Sequence, residues 1–191
     1  MKRIFILGFI LLLTMSCKAQ TIVPVEKAID YRRAGEGIPD NTYLKDANNL
    51  FAKYVGTWKG SYGGKNYTLY ITKTTSKFET VTRDRLLIRY LITSNNGTVL
   101  ENTQNMPDTN PYVVKGSYFS KDLTAYALNF SGKKSQCGNA GTVFIHIENT
   151  AKNLMAFGFE PDKIMISEDS CPGFKVADLT FPKDGLMLTK Q

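Results

Sequence analysis

From residue 55 to the end of the chain, apolar and polar positions alternate with a period of two. They do so in short runs rich in β-branched and aromatic side chains, the pattern of half-buried strands. This alternation predicts strands at 55–62, 66–73, 84–93, 112–119, 123–130, 141–148, 154–159, 164–168 and 186–190. Gly63-Gly64, Asn95-Asn96-Gly97, Ser120-Lys121-Asp122, Asn149-Thr150-Ala151-Lys152-Asn153 and Glu160-Pro161-Asp162-Lys163 are short or polar enough to turn hairpins between them. Residues 77–81 would extend the third strand, and 102–111 reads as a longer loop. Ahead of the strands the period changes. Tyr43, Leu44, Ala47, Leu50, Phe51 and Tyr54 recur at spacings of three and four, with Asp40, Asn41 or Thr42 available as N-cap and Gly56 beyond the end, which predicts one short amphipathic helix. Residues 21–41 hold Pro24, Gly35, Gly37 and Pro39 without a sustained period and read as a tether.

Eight or nine short strands joined by hairpins exclude a parallel α/β sheet, whose crossovers need about a dozen residues or more. The predicted fold class is all-β: a single antiparallel up-and-down barrel preceded by one short helix, with a two-sheet sandwich as the alternative. Tyr67, Leu69 and Ile71, Ile88, Tyr90 and Ile92, and Val143, Ile145 and Ile147 each form the apolar face of a strand. Pointed inward, side chains of this size fill a small barrel, with Trp58 buried near one end.

The amino terminus follows other rules. Lys2 and Arg3 precede an apolar run at 4–15, too short to span a hydrocarbon core of roughly 30 Å, and small or polar residues follow at Ser16-Cys17-Lys18-Ala19-Gln20. This is the layout of an export signal; a buried core helix is the other reading. The segment resembles a bacterial lipoprotein signal, which implies that Cys17 is acylated and opens the mature chain. Such signals place Leu three residues before the Cys. This chain has Thr14 there and Leu13 one position back, so cleavage after Ala19 is the alternative. The resulting division is a signal at 1–16, a tether at 17–41 and a β-barrel domain at 42–191, with the protein exported to the cell envelope as an outer-membrane lipoprotein.

Composition changes this picture only in places. The 191 residues, 42 % hydrophobic and 21 % charged, allow one ordinary domain. Removing 1–16 takes away Lys2 and Arg3 and lowers the formal charge from +7 to +5. The remaining basic cluster, Lys65, Lys73, Lys77, Arg83, Arg85 and Arg89 against Glu79 and Asp84, reads either as a solvated strand face or as contact with an anionic lipid or glycan surface. Nucleic acid is not an expected partner of an exported chain. With Cys17 acylated, Cys137 and Cys171 remain and are expected to pair, closing a loop of about 35 residues worth roughly 3–4 kcal/mol. One difficulty attends the bridge. If 141–148, 154–159 and 164–168 are successive antiparallel strands, the two cysteines fall at opposite ends of the sheet. A metal site is the rival reading, but there is no C-x-x-C, and His146, the only His, has no ligand-spaced partner.

Catalytic parts are wanting, and no cofactor is expected. The chain lacks G-x-S-x-G, H-E-x-x-H, P-loop and dinucleotide fingerprints. Ser131-Gly132-Lys133-Lys134 matches S-x-x-K but sits in a turn. His146 and Glu148 share a strand face without a nucleophile to serve. Asp84, Glu101, Glu148 and Glu168 are the carboxylates available for paired acid and base work, none within a catalytic signature. We therefore expect a non-enzyme.

Tyr54-Val55-Gly56-Thr57-Trp58, opening the first strand, resembles the G-x-W start of lipocalin-like barrels, which implies Gly56 and Trp58 as a structural barrel end. In that family a basic residue of the last strand packs over the Trp; here the last strand offers Lys190. A wider resemblance rests on Cys17-Lys18-Ala19-Gln20, Phe51-Ala52-Lys53-Tyr54-Val55-Gly56-Thr57-Trp58, Leu128-Asn129-Phe130, Cys137-Gly138-Asn139-Ala140-Gly141-Thr142-Val143 and Asp178-Leu179-Thr180-Phe181-Pro182. These are similar to a family of uncharacterised Bacteroidota-type lipoproteins that carries a domain-of-unknown-function label, which implies the anchor and the β-domain and no activity. Two function classes follow. One is a tethered structural or interaction domain with a filled core and an unidentified protein partner. The other is a lipocalin-like binder of a small apolar or amphipathic ligand, with its ligand residues unassigned.

Overall fold

A computed structural model describes residues 20–175 and 178–191. The export signal and Cys17 lie outside the described residues. The strands are β1 (Thr21–Pro24), β2 (Thr42–Lys45), β3 (Gly56–Tyr62), β4 (Lys65–Phe78), β5 (Val81–Ser94), β6 (Val99–Asn102), β7 (Val114–Phe119), β8 (Ala125–Ser131), β9 (Ala140–Ile147), β10 (Leu154–Pro161) and β11 (Leu186–Lys190). Eight of them, β3, β4, β5, β7, β8, β9, β10 and β11, form a closed antiparallel barrel. Each pairs with the next, β5 meets β7 through Leu87 opposite Lys115, and β11 returns to β3 with Lys190 opposite Trp58. Closure leaves no bare barrel edge, which is how a sheet of hairpins avoids pairing with other chains.

β4 and β5 are 14 residues each and outrun the other strands. Their hairpin projects past one end of the barrel, the proximal end, where β2 pairs in parallel with β5 (Tyr43 opposite Thr82) and β1 in parallel with β2. At the opposite, distal end, β6 folds back on β5, and residues 162–185 cross between β10 and β11.

The interior is built from the expected faces. Tyr67, Leu69 and Ile71 of β4, Ile88, Tyr90 and Ile92 of β5, and Val143 and Ile145 of β9 are buried, with Ile147 partly buried against them. Phe157, Phe159, Leu186 and Leu188 join them from β10 and β11 in one core cluster. Thr68, Tyr70 and Thr72 take the outer face of β4.

Besides β1, which pairs with β2 inside the residues read as a tether, and β6, which matches no predicted strand, two placements differ from the sequence reading. The one short helix, α1 (Ala28–Ala34), follows a 3-10 turn at Val25–Lys27 and lies within the residues read as a tether. Gly35 ends it at φ 70, with its N–H donating to Arg32 and that of Glu36 to Tyr31, and Val25 anchors it in the core. Residues 43–54 are not helical. Tyr43 and Leu44 belong to β2, and the Asp46 carboxylate then accepts the Leu50 N–H at 2.7 Å and the Phe51 N–H at 3.5 Å. An Asp side chain that captures backbone donors in this way diverts the chain into successive turns. The spacing of three and four marks Phe51 and Tyr54, both fully buried, pointing into the proximal end of the barrel.

The second difference is at 164–168, which is not a strand. Both edges of β10 are already taken, by β9 and β11, so this apolar run has no ladder to join, and Met165 is 99 % exposed. This removes the difficulty with the cysteines. With one strand fewer, the chain leaving β10 at Pro161, opposite Gly141, stays at the distal end beside the start of β9.

Candidate functional site

The distal end is closed by the crossing segment. Phe181 is fully buried there, its ring centroid 4.8 Å from that of Phe157, 4.9 Å from Phe130 and 5.2 Å from Tyr90. Such edge and tilted contacts suit the ring quadrupole and bury a large apolar area. Polar bonds seat the plug. The Asn139 side-chain amide donates to the Thr180 hydroxyl at 3.1 Å and accepts the Thr180 N–H at 3.1 Å, and the Thr180 hydroxyl donates to Glu101 at 2.9 Å. Asn139 and Thr180 are both buried, so these bonds answer groups that would otherwise be stranded. The Tyr90 hydroxyl lies 3.4 Å from the second Glu101 oxygen, and burial followed by that carboxylate pushes its pKa up.

Cys137 and Cys171 stand beside this network at disulfide distance, with Cα atoms 5.3 Å apart. They border a cleft of about 360 Å³ that also touches Lys134, Lys175 and Asp178. A second cleft, of about 210 Å³, opens at the rim between Tyr62, Tyr67, Phe181 and Pro182. Sequence segments quoted separately above therefore meet here: 137–141 supplies Asn139 and Cys137, 128–130 supplies Phe130, and 178–182 supplies Thr180 and Phe181.

At the proximal end Trp58 is fully buried and donates its indole N–H to the Tyr54 carbonyl at 2.7 Å. The Lys190 ammonium lies over its ring, 5.4 Å from the centroid, where the ring quadrupole attracts a cation. Gly56, at φ 133, makes room for this: a Cβ there would stand 2.9 Å from Lys190 Cε. Phe51, stacked on Phe119 with centroids 5.3 Å apart, and Tyr54 complete the closure. The Tyr54 hydroxyl is buried without a hydrogen-bond partner, and burial pushes its pKa up to about 12.

A buried polar knot fastens the turns that carry Phe51. Lys73 Nζ lies 2.8 Å from Asp46 and 3.8 Å from Asp84. Asp84 accepts from the Tyr43 hydroxyl at 2.8 Å, the Asp46 N–H at 3.0 Å and the Thr75 hydroxyl at 2.7 Å. Burial alone would raise its pKa, but those donors and Lys73 outweigh it and hold the carboxyl below its ordinary value. Asp46 was not singled out from the sequence. No motif marks it, and its partners come from β4 and β5.

The remaining sequence candidates are dispersed. Glu101 belongs to the distal network. Glu168 accepts the Gly173 N–H at 3.0 Å, and Glu148 lies 4.0 Å from His146 Nε2 on the outside of β9. His146 Nδ1 contacts the Thr124 carbonyl, fixing a half-exposed ring. Ser131 closes β8, and Lys134 lines the cleft beside the cysteines. Of the basic cluster, Lys73 is held by Asp46 and Arg89 pairs with Asp108, whereas Lys65, Lys77, Arg83 and Arg85 have no carboxylate within ion-pair distance among the described residues. Also among the described residues, no His, Cys, Asp or Glu cluster has the size to hold a metal ion. The arrangement can seal a barrel at both ends and present its outer surface.

Residues 1–180 match a family described as "Family of unknown function (DUF6705)". No curated protein and no solved structure matches the chain.

Proposed function

The chain belongs to the DUF6705 family, whose description carries no activity, so we propose a function from its own residues: an exported, non-catalytic domain tethered to a membrane of the cell envelope through acylated Cys17, the outer membrane of a two-membrane envelope, and acting through its outer surface. The observation that carries this reading is the sealed barrel. Phe51, Tyr54 and Trp58 close one end, as a lipocalin-like binder would, and the fully buried Phe181 fills the other end, which such a binder would keep open for its ligand. Asp84 and Glu101 accept hydrogen bonds that fasten the two barrel ends, a packing role that supports a non-catalytic reading. Lys65, Lys77, Arg83 and Arg85 are the cations left for an anionic lipid or glycan surface, and the protein partner is unidentified.

Ligand binding is favoured by one feature only. Phe181 rides on a segment without strand pairing, and the rim cleft at Tyr62 and Pro182 lies against it. Two measurements decide between the readings. Expressed with its own signal, the protein should incorporate labelled palmitate and enter the detergent phase, and Cys17→Ala should take up no label. Absence of label from both refutes the anchor. Titration with fatty acids should leave Trp58 fluorescence unchanged, and saturable one-to-one binding at low concentration would promote the ligand reading.

A further inference from the structure

We infer that the tip of the β4–β5 hairpin, with Phe78 at its end and Ile22 three strands away on β1, on the other face of the same sheet end, is a second membrane contact that sets the barrel end-on against the bilayer holding Cys17. This rests on the proposed acylation of Cys17 and adds to it an orientation and an apolar wedge.

The chain enters the domain at this tip. Thr21 opens β1 opposite Thr42, Tyr43 lies opposite Thr82, and Phe78 and Val81 form the last pair of the hairpin. Thr21, Thr42, Val81 and Phe78 therefore share the outermost row of the extended sheet, and Ile22 sits in the row behind. The Gln20 side chain donates to the Thr82 hydroxyl at 3.1 Å, tying the entering chain to the hairpin. Between Cys17 and Thr21 a fully extended chain reaches at most about 14 Å. An acyl chain buried at Cys17 thus holds the outermost row close to the headgroups.

Phe78 is 74 % exposed and Ile22 60 % exposed; Met165, Val99 and Leu100 are exposed at the distal end too, so the short span from Cys17, and not exposure alone, selects the proximal tip. An exposed aromatic at a projecting tip leaves apolar surface in water unless something covers it, and an interfacial Phe enters the headgroup and acyl boundary. Charge does not account for the contact. Lys77 and Arg83 near the tip make no ion pair among the described residues, but Glu79 and Asp40 equal them in number and leave the tip without net charge, Asp40 accepting from the Thr80 hydroxyl at 2.6 Å. The wedge is therefore apolar, and docking should not require anionic lipid. The distal end lies the length of β4 away, roughly 45 Å for a strand of its 14 residues, and stays in water.

The test uses the exported, acylated protein in phosphatidylcholine vesicles with and without brominated acyl chains. Phe78→Trp places a reporter at the tip and Met165→Trp one at the distal end; both sites are exposed enough to take the ring without disturbing the core, and the parent protein supplies the Trp58 background. We expect Trp emission of the Phe78→Trp protein to shift to shorter wavelength and to be quenched several-fold more than that of Met165→Trp. Equal quenching at the two sites, with the protein still floating on the vesicles, overturns the orientation while leaving the anchor intact. A contrast that appears only with phosphatidylglycerol overturns the apolar wedge in favour of electrostatic contact. Failure to float removes the anchor, and this inference falls with it.

Discussion

Replacing Phe181 by Ala tests whether the distal end is held shut by packing. The ring is fully buried among Tyr67, Tyr90, Phe130, Phe157 and Phe159, with centroid distances from 4.8 to 6.4 Å. Losing about 150 Å² of buried aromatic surface at roughly 25 cal/mol per Å² costs about 4 kcal/mol, an upper value because the unfolded chain hides part of that surface already. The five neighbours stand on β4, β5, β8 and β10, which are locked in a closed ladder and cannot collapse inward, so a cavity remains and adds about 1 kcal/mol for roughly 50 Å³ unfilled. One route relieves the cost. The segment carrying Phe181 has no strand partner and can lift away locally, losing the Asn139–Thr180 bonds but remaining joined near Cys171. The expected loss is therefore about 3–5 kcal/mol, read from urea unfolding followed by the fluorescence of buried Trp58. The variant should also acquire a small apolar cavity at the distal mouth that takes up xenon, since apolar cavities of this kind stay dry and accept such a guest. A loss below about 1 kcal/mol together with no xenon uptake would refute the argument that Phe181 seals a packed interior.

Two further outcomes follow from the same contacts. Unreduced, unfolded protein should show no alkylatable thiol at Cys137 or Cys171, and replacing both by Ser should lower stability by about 3–4 kcal/mol in the loop-entropy model; two free thiols would dismiss the bridge. Asp84 titrates below its ordinary value in the folded chain, so its contribution is present above about pH 4–5 and is lost as pH falls through the folded pKa. Asp84→Asn should accordingly cost about 1.5–3 kcal/mol at pH 7, and the cost should shrink as pH falls from the ordinary carboxylate range through the folded pKa; a cost that stays constant down the acid series of urea midpoints would show that its charge is not what matters.

Local periodicity was enough to recover eight barrel strands and the inward faces of β4, β5 and β9, because alternation records which side of each strand is apolar wherever it later packs. The resemblance to a G-x-W start, and not periodicity, pointed to Gly56 and Trp58, two residues apart at the start of β3. What periodicity could not record is which backbone edges would be left unpaired. Residues 164–168 and β1, Thr21-Ile22-Val23-Pro24, are both short runs with β-branched residues, yet β1 finds an open edge at β2 while 164–168 meets a barrel already closed by β11 against β3 and β10. The helix was misplaced for a related reason, since a spacing of three and four arises as readily from turns that aim Phe51 and Tyr54 into a barrel mouth, once Asp46 has taken the Leu50 and Phe51 N–H groups. The parts that close the molecule lay further from sequence still. Asp46 meets Lys73 and Asp84, Asn139 meets Thr180, and Phe181, an isolated aromatic between Thr180 and Pro182, becomes the centre of the distal core. Each of these pairs joins residues far apart in the chain, and only strand closure brings them within hydrogen-bonding or van der Waals distance.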